Sequence, residues 1–176
     1  MATAPRVPEI LTIGYEGCAL RDVLAALVAA DVELLIDVRA VPRSRKPGFS
    51  KRQLAAGLDA TGIPYVHLQG LGTPKAGRDA VRAGHPGIMA SIFRAHMTSD
   101  RAQAELAQAK ALARGQRVCL LCFEQDPGCC HRTIVAEMMA RDSGQDVRHL
   151  AVGSGAVPQS GVGRRSGSAR GGKSRG

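Results

Sequence analysis

Apolar runs of strand length alternate with amphipathic stretches along most of this chain, and few architectures accept that order. ILTIGY (10–15) reads as a first strand, and CALRDVLAALVAAD (18–31) follows with Leu20, Val23, Leu24, Leu27 and Val28 at helical spacing. ELLIDVR (33–39) is a second strand. SKRQLAAGLDATG (50–62) is a helix with Ser50 as its cap and Gly62 as its stop, and IPYVHL (63–68) is a third strand. Helices over 86–97 and 99–115 precede a fourth strand, RVCLLCFE (117–124). A helix over 130–144 and a fifth strand, DVRHLAV (146–152), complete the series. The alternation predicts an α/β fold: a single domain with a mostly parallel five-stranded sheet and helices on both faces.

The length, 176 residues, suits one such domain over 10–152, with a short N-terminal extension at 1–9. Five of the nine net positive charges fall after residue 150, in a Gly/Ser-rich stretch without an acid. Residues 153–176 are therefore expected to be a disordered basic tail, either solubilising or weakly and salt-sensitively attracted to nucleic acid. A basic start followed by a long apolar stretch is missing at the N-terminus, and no run approaches the ~20 apolar residues of a membrane helix. Four of the five cysteines crowd into 119–130, unlike a secreted disulfide framework. These features predict a cytoplasmic protein with reduced thiols and no membrane partner.

Two connections exceed the usual ~2–6 residues of such loops, AVPRSRKPGF (40–49) and QGLGTPKAGRDAVRAGHP (69–86). Both follow a strand at its C-terminal end, the edge where open parallel sheets bind ligands. Four segments should meet there: GYEG (14–17), DVRAVPRSRKPGF (37–49), HLQGLG (67–72) and CFEQDPGCCHR (122–132). Arg39, Arg43, Arg45, Lys46, Lys51 and Arg52 occur without an intervening acid, which points to an anion. Arg39 and Arg45 are the candidate ligands, while Lys46, Lys51 and Arg52 read as a solvated face. Tyr15 and Phe49 can stack on a flat ligand or simply pack. Asp37, Glu16 and Glu124 can serve as general bases or hold arginines in place.

Cys119 and Cys122 have metal-like C-x-x-C spacing, yet residues three apart on a strand face opposite ways, so Cys119 reads as core. A Cys-x5-Arg phosphatase loop fails, because six positions after each cysteine stand Leu24, Gln125, Gly128, Val135 and Ala136. What remains is DPG followed by Cys130, His131 and Arg132 in the first turn of a helix, whose dipole favours anions and thiolates. In the functional reading Arg132 binds the anion and Cys130 or His131 is a polar or nucleophilic partner. In the structural one Cys130 packs inward and the other two lie on the surface. Cys129 is incidental.

The set T-I-G-Y-E-G, D-V-R-x-x-P-x-S-R-x-P-G-F, H-L-x-x-L-G and L-L-C-F-E-x-D-P-x-x-C-H-R resembles a bacterial family, domain of unknown function 488, over about residues 10–150. The resemblance brings no reaction. It implies that Tyr15, Glu16, Arg39, Ser44, Arg45, Pro47, Glu124, Cys130, His131 and Arg132 form one site. The leading expectation is an anion site for a phosphate- or nucleotide-like ligand with scope for catalysis. Glu16, Glu124, Cys130 and His131 would then be catalytic, and Tyr15, Arg39, Ser44, Arg45 and Arg132 ligand-binding. No metal or cofactor is expected in that reading. The alternatives are a non-catalytic nucleic-acid module and a metal or thiol-redox protein using Cys122, Cys129, Cys130 and His131.

Overall fold

A computed structural model describes residues 8–152; the expected basic tail and the first seven residues of the N-terminal extension lie outside the described residues. Five strands form one all-parallel sheet: β1 (Ile10–Gly14), β2 (Leu34–Asp37), β3 (Tyr65–His67), β4 (Val118–Cys122) and β5 (Val147–Leu150). Their order across the sheet is β3-β2-β4-β1-β5. The helices are α1 (Leu20–Ala29), α2 (Lys51–Asp59), α3 (Lys75–Arg82), α4 (Pro86–His96), α5 (Asp100–Gly115) and α6 (His131–Ala140).

Side chains alternate across each strand, so the sheet separates two cores. Ile10, Ile36, Leu120 and Cys122 face α4, α5 and α6, where Phe93, Ala109 and Val135 cover them. Leu11, Leu35, Cys119 and Leu121 face α1 and α2, where Leu27 and Leu54 cover them. Burial on both faces explains why the three inner strands are uninterrupted apolar runs apart from Thr12 and Asp37. It also separates Cys119 from Cys122, as the strand periodicity requires.

The connection from β2 runs through α2 to β3, whereas that from β4 runs through α6 on the other face to β5. Adjacent strands β2 and β4 therefore send their chains apart. Their C-terminal ends flank a switch point, the place where such sheets form crevices.

The 69–86 segment departs from the loop expected there. It holds a 3-10 turn at Gln69–Leu71 and the helix α3. Glycines at 70, 72, 77 and 84 hide that helix in the sequence. Within it, Asp79 bridges Lys75 at 2.6 Å and Arg82 at 2.9 Å, and Ala80 and Val81 pack on the core. Gly77 fits because a β-carbon there would lie 2.4 Å from the Thr73 methyl. Element ends are also shorter than the sequence suggests. β4 stops at Cys122, and α2 stops at Asp59, three residues before Gly62. Ser50 sits at the N-cap of α2, but its hydroxyl donates to the Gln53 side chain at 2.9 Å instead of capping the backbone.

Thr12, the buried polar residue of β1, takes part in a relay. Arg132 Nε donates to Thr12 Oγ1 at 3.2 Å, so the hydroxyl proton is left for His149 Nδ1 at 2.7 Å on edge strand β5. That polarity needs a neutral imidazole. Burial first, then the Arg132 charge, lowers the His149 pKa, with Glu137 opposing. A histidine whose folded pKa is depressed stabilises fully above its unfolded value, ~6.5, and loses that contribution as pH falls below it. His149→Gln keeps an acceptor without a proton-binding site. Comparing urea midpoints of the two proteins should show the wild type losing stability relative to the variant as pH drops from about 7.5 to 5.5. Parallel curves would refute the relay.

Candidate functional site

Arg39 leaves β2 and turns back beneath it. Its Nε donates to Asp37 Oδ1 at 2.9 Å and its Nη2 to Asp37 Oδ2 at 2.6 Å, a bidentate pair with Asp37 wholly buried. Nη1 donates to the Tyr15 hydroxyl at 2.9 Å and to the Phe49 carbonyl at 2.8 Å. Burial works against the charged guanidinium, but the Asp37 carboxylate outweighs it and holds Arg39 protonated. Tyr65 donates to Asp37 Oδ2 at 2.7 Å, and burial followed by the Asp37 charge pushes its own pKa up, so it stays a donor. His67 Nε2 meets the Arg39 carbonyl at 2.8 Å.

Arg132, in the first turn of α6, is the second brace. Besides Thr12 it donates from Nη1 to the Glu124 carbonyl and from Nη2 to the Gln125 carbonyl at 3.0 Å. These carbonyls lie past the end of β4, where no strand partner satisfies them. Glu16 completes the hold by accepting the Gln125 N–H at 3.1 Å. Beneath the same turn, a β-carbon on Gly14 would lie 1.8 Å from the Glu124 carbonyl oxygen, so only glycine lets the two backbones meet.

Past that turn, Asp126 accepts the Gly128 N–H at 2.8 Å and the Cys129 thiol at 3.4 Å, folding Pro127–Cys129 into a 3-10 turn. The turn swings Cys130 and His131 back over the end of β4. Cys122, Glu124, Cys130 and His131 converge there, with one ligand atom from each lying within 4.8 Å of all the others. Cys122 Sγ and Cys130 Sγ donate to the same Glu124 oxygen, Oε2, at 3.2 and 3.1 Å. His131 Nε2 faces the Val38 carbonyl at 2.9 Å, which fixes its proton there and turns the Nδ1 lone pair toward Cys122 Sγ, 3.7 Å away.

The electrostatics of this cluster favour positive charge. Burial opposes protonation of His131, yet Cys130, the Val38 carbonyl and Glu124 together raise its pKa. Burial, with Cys122 beside it, drives the Cys130 thiol well up, so at neutral pH without a cation it is a protonated and poor nucleophile.

The site expected as one unit is thus divided. Glu124, Cys130 and His131 come together with Cys122, which the sequence marks only in the metal or redox alternative. Arg39 and Arg132, expected as anion ligands, are 4% and 1% exposed and turn their guanidinium groups to protein acceptors. Tyr15 is buried with its ring stacked on Phe49 at a centroid distance of 4.2 Å, so that face meets no ligand. Glu16, expected as a catalytic group, holds a loop N–H. Ser44 accepts the Lys46 N–H at 3.1 Å and Arg45 is exposed; among the described residues no hydrogen bond or ion pair ties either side chain to the cluster. The signal for Cys122 was its spacing: Cys122-x-Glu124 at the strand period, followed by Cys130-His131 where the chain returns as a helix.

The chain matches a protein-family model over residues 19–139, more than half of its length. The chain belongs to the family described as domain of unknown function DUF488. No curated protein and no solved structure matches it. The matched span of this DUF488 chain includes all four residues of the cluster and both arginine braces, and leaves Tyr15 and Glu16 outside.

Two outcomes follow for the scaffold. Arg39→Met leaves Asp37 buried without its counter-charge and should cost about 3–5 kcal/mol in urea unfolding, whereas Asp37→Leu/Arg39→Met should recover much of that loss. Equal stability of the single and double variants would argue against the pair as the brace. Gly14→Ala forces the Glu124 carbonyl away and should cost about 1–3 kcal/mol with an unchanged denaturant slope. A variant as stable as the wild type would mean that this approach is not tight.

Proposed function

We propose that this DUF488 chain is a metal-binding protein whose centre is formed by Cys122, Cys130, His131 and Glu124, with zinc as the fitting ion. The observation that carries the reading is the convergence of two sulfurs, one imidazole nitrogen and one carboxylate oxygen within 4.8 Å. A tetrahedral zinc ion uses this donor chemistry, with bonds of about 2.0–2.3 Å, and small movements of these atoms suffice to reach it. The mixture of thiolate and imidazole favours zinc over the hard cations, which take oxygen ligands. His131 also has the usual support of a metal-bound histidine, its second ring nitrogen turned to a carbonyl. A divalent cation supplies the positive charge that the buried thiols and the carboxylate otherwise lack.

The anion reading is weakened because Arg39 and Arg132 turn their guanidinium groups to buried side chains and carbonyls, which leaves it the exposed Arg45 alone among its three arginines. The nucleic-acid reading rests on exposed cations of the 43–52 segment and on residues outside the described range, with no convergent geometry behind it.

Elemental analysis of the purified full-length protein, after zinc loading and dialysis, tests the assignment. About one zinc per chain is expected, reduced at least tenfold by Cys130→Ser or His131→Ala and unchanged by Cys129→Ser. Zinc should also shield Cys122 and Cys130 from alkylation. A chain that takes up no metal would overturn the reading, as would a protein recovered with Cys122 and Cys130 joined as a disulfide, which would move the assignment to thiol chemistry.

A further inference from the structure

Resting on the metal reading, we propose that Glu124 is an exchangeable fourth ligand, so that the centre offers one coordination position at the sheet edge to water and, in its place, to a small monoanion. The four donors are unequally held. Cys122, Cys130 and His131 are 4%, 3% and 5% exposed, and each is fixed by regular structure. Cys122 ends a central strand, Cys130 caps α6, and His131 opens that helix with its ring anchored on Val38. Glu124 lies on the irregular turn after β4 and is half-buried.

The contacts of Glu124 sharpen the difference. Its backbone is fixed, with the carbonyl held by Arg132 and seated over Gly14. Its carboxylate accepts from two groups among the described residues, the Cys122 and Cys130 thiols, both at Oε2. Metal binding removes both protons, because only thiolates ligate. Once the metal is bound, the carboxylate keeps no donor among the described residues to orient it, leaving the metal itself or water. Ligating carboxylates are ordinarily held by further hydrogen bonds, and one without them exchanges readily. Two thiolates and one imidazole then form the permanent set, and three protein ligands with an open fourth position distinguish reactive zinc centres from closed structural ones.

Geometry around the turn gives an incoming ligand a path. Phe123, next to Glu124, is 44% exposed and touches Tyr15 edge-on at 5.4 Å, and Glu16, exposed on the turn after β1, reaches the Gln125 N–H beside it. A carboxylate swinging off the metal therefore enters solvent, not the core.

The test uses the full-length protein loaded with cobalt(II) under reducing, oxygen-free conditions and titrated with azide, followed by the visible ligand-field bands. Azide should shift the bands saturably in the wild type. Glu124→Gln and Glu124→Ala should keep one cobalt per chain and bind azide at least about tenfold more tightly, because no carboxylate competes for the position. Cobalt bound with bands indifferent to azide in all three proteins would show a closed structural centre and overturn this inference while leaving the metal reading intact. Loss of cobalt from both Glu124 variants would likewise make Glu124 a permanent ligand. Failure of the wild type to bind cobalt at all would remove the metal reading, and this inference with it.

Discussion

Two buried guanidinium groups hold the C-terminal edge of this sheet. Where parallel strands end, carbonyls that would continue the ladder lose their partners, and burial makes that loss expensive. Arg132 meets the carbonyls of Glu124 and Gln125, while Arg39 meets that of Phe49 and locks onto Asp37. Each arginine has five donors in a fixed plane, so each aligns several chain segments at once, which a lysine cannot do. With the edge set, Tyr15 and Phe49 stack, Gly14 seats the turn after β4, and the return of the chain into α6 is fixed in direction.

The four convergent donors are a consequence of that alignment. Cys122 and Glu124 lie two residues apart, and the short turn capped by Asp126 brings Cys130 and His131 back above them. His131 also reaches across to Val38, beyond the end of β2, so the cluster closes the gap where β2 and β4 send their connections apart. Side chains at a switch point ordinarily face a cleft; here they face one another.

The fold was legible because both faces of the inner strands are buried, leaving nearly unbroken apolar runs that only strands of that length explain. Helix α3 escaped notice because Gly77 within it and the glycines around it mask it, and because it is held by contact with α4 that no local pattern reveals. The site was half legible. An arginine at a ligand-binding edge looks the same in sequence whether its donors point outward to an anion or inward to carbonyls, and Arg39 and Arg132 point inward. The cysteines were legible in part. The eye-catching pair, Cys119 and Cys122, is split between two cores, while the pair that meets, Cys122 and Cys130, has a separation set by a turn whose shape becomes visible only once folded.

The donors of the cluster all fall within the ten residues from Cys122 to His131, whereas Arg132 alone ties α6 to Thr12 of β1, 120 residues away. Closing a loop of about ten residues costs little chain entropy. Under the metal assignment, the unfolded chain therefore retains some affinity for the ion, and affinity for the unfolded state subtracts from the stabilisation the ion gives the fold. An ion held by so local a segment acts less as a rivet across the domain than as an early staple, joining the end of β4 to the start of α6 before the sheet around them is complete.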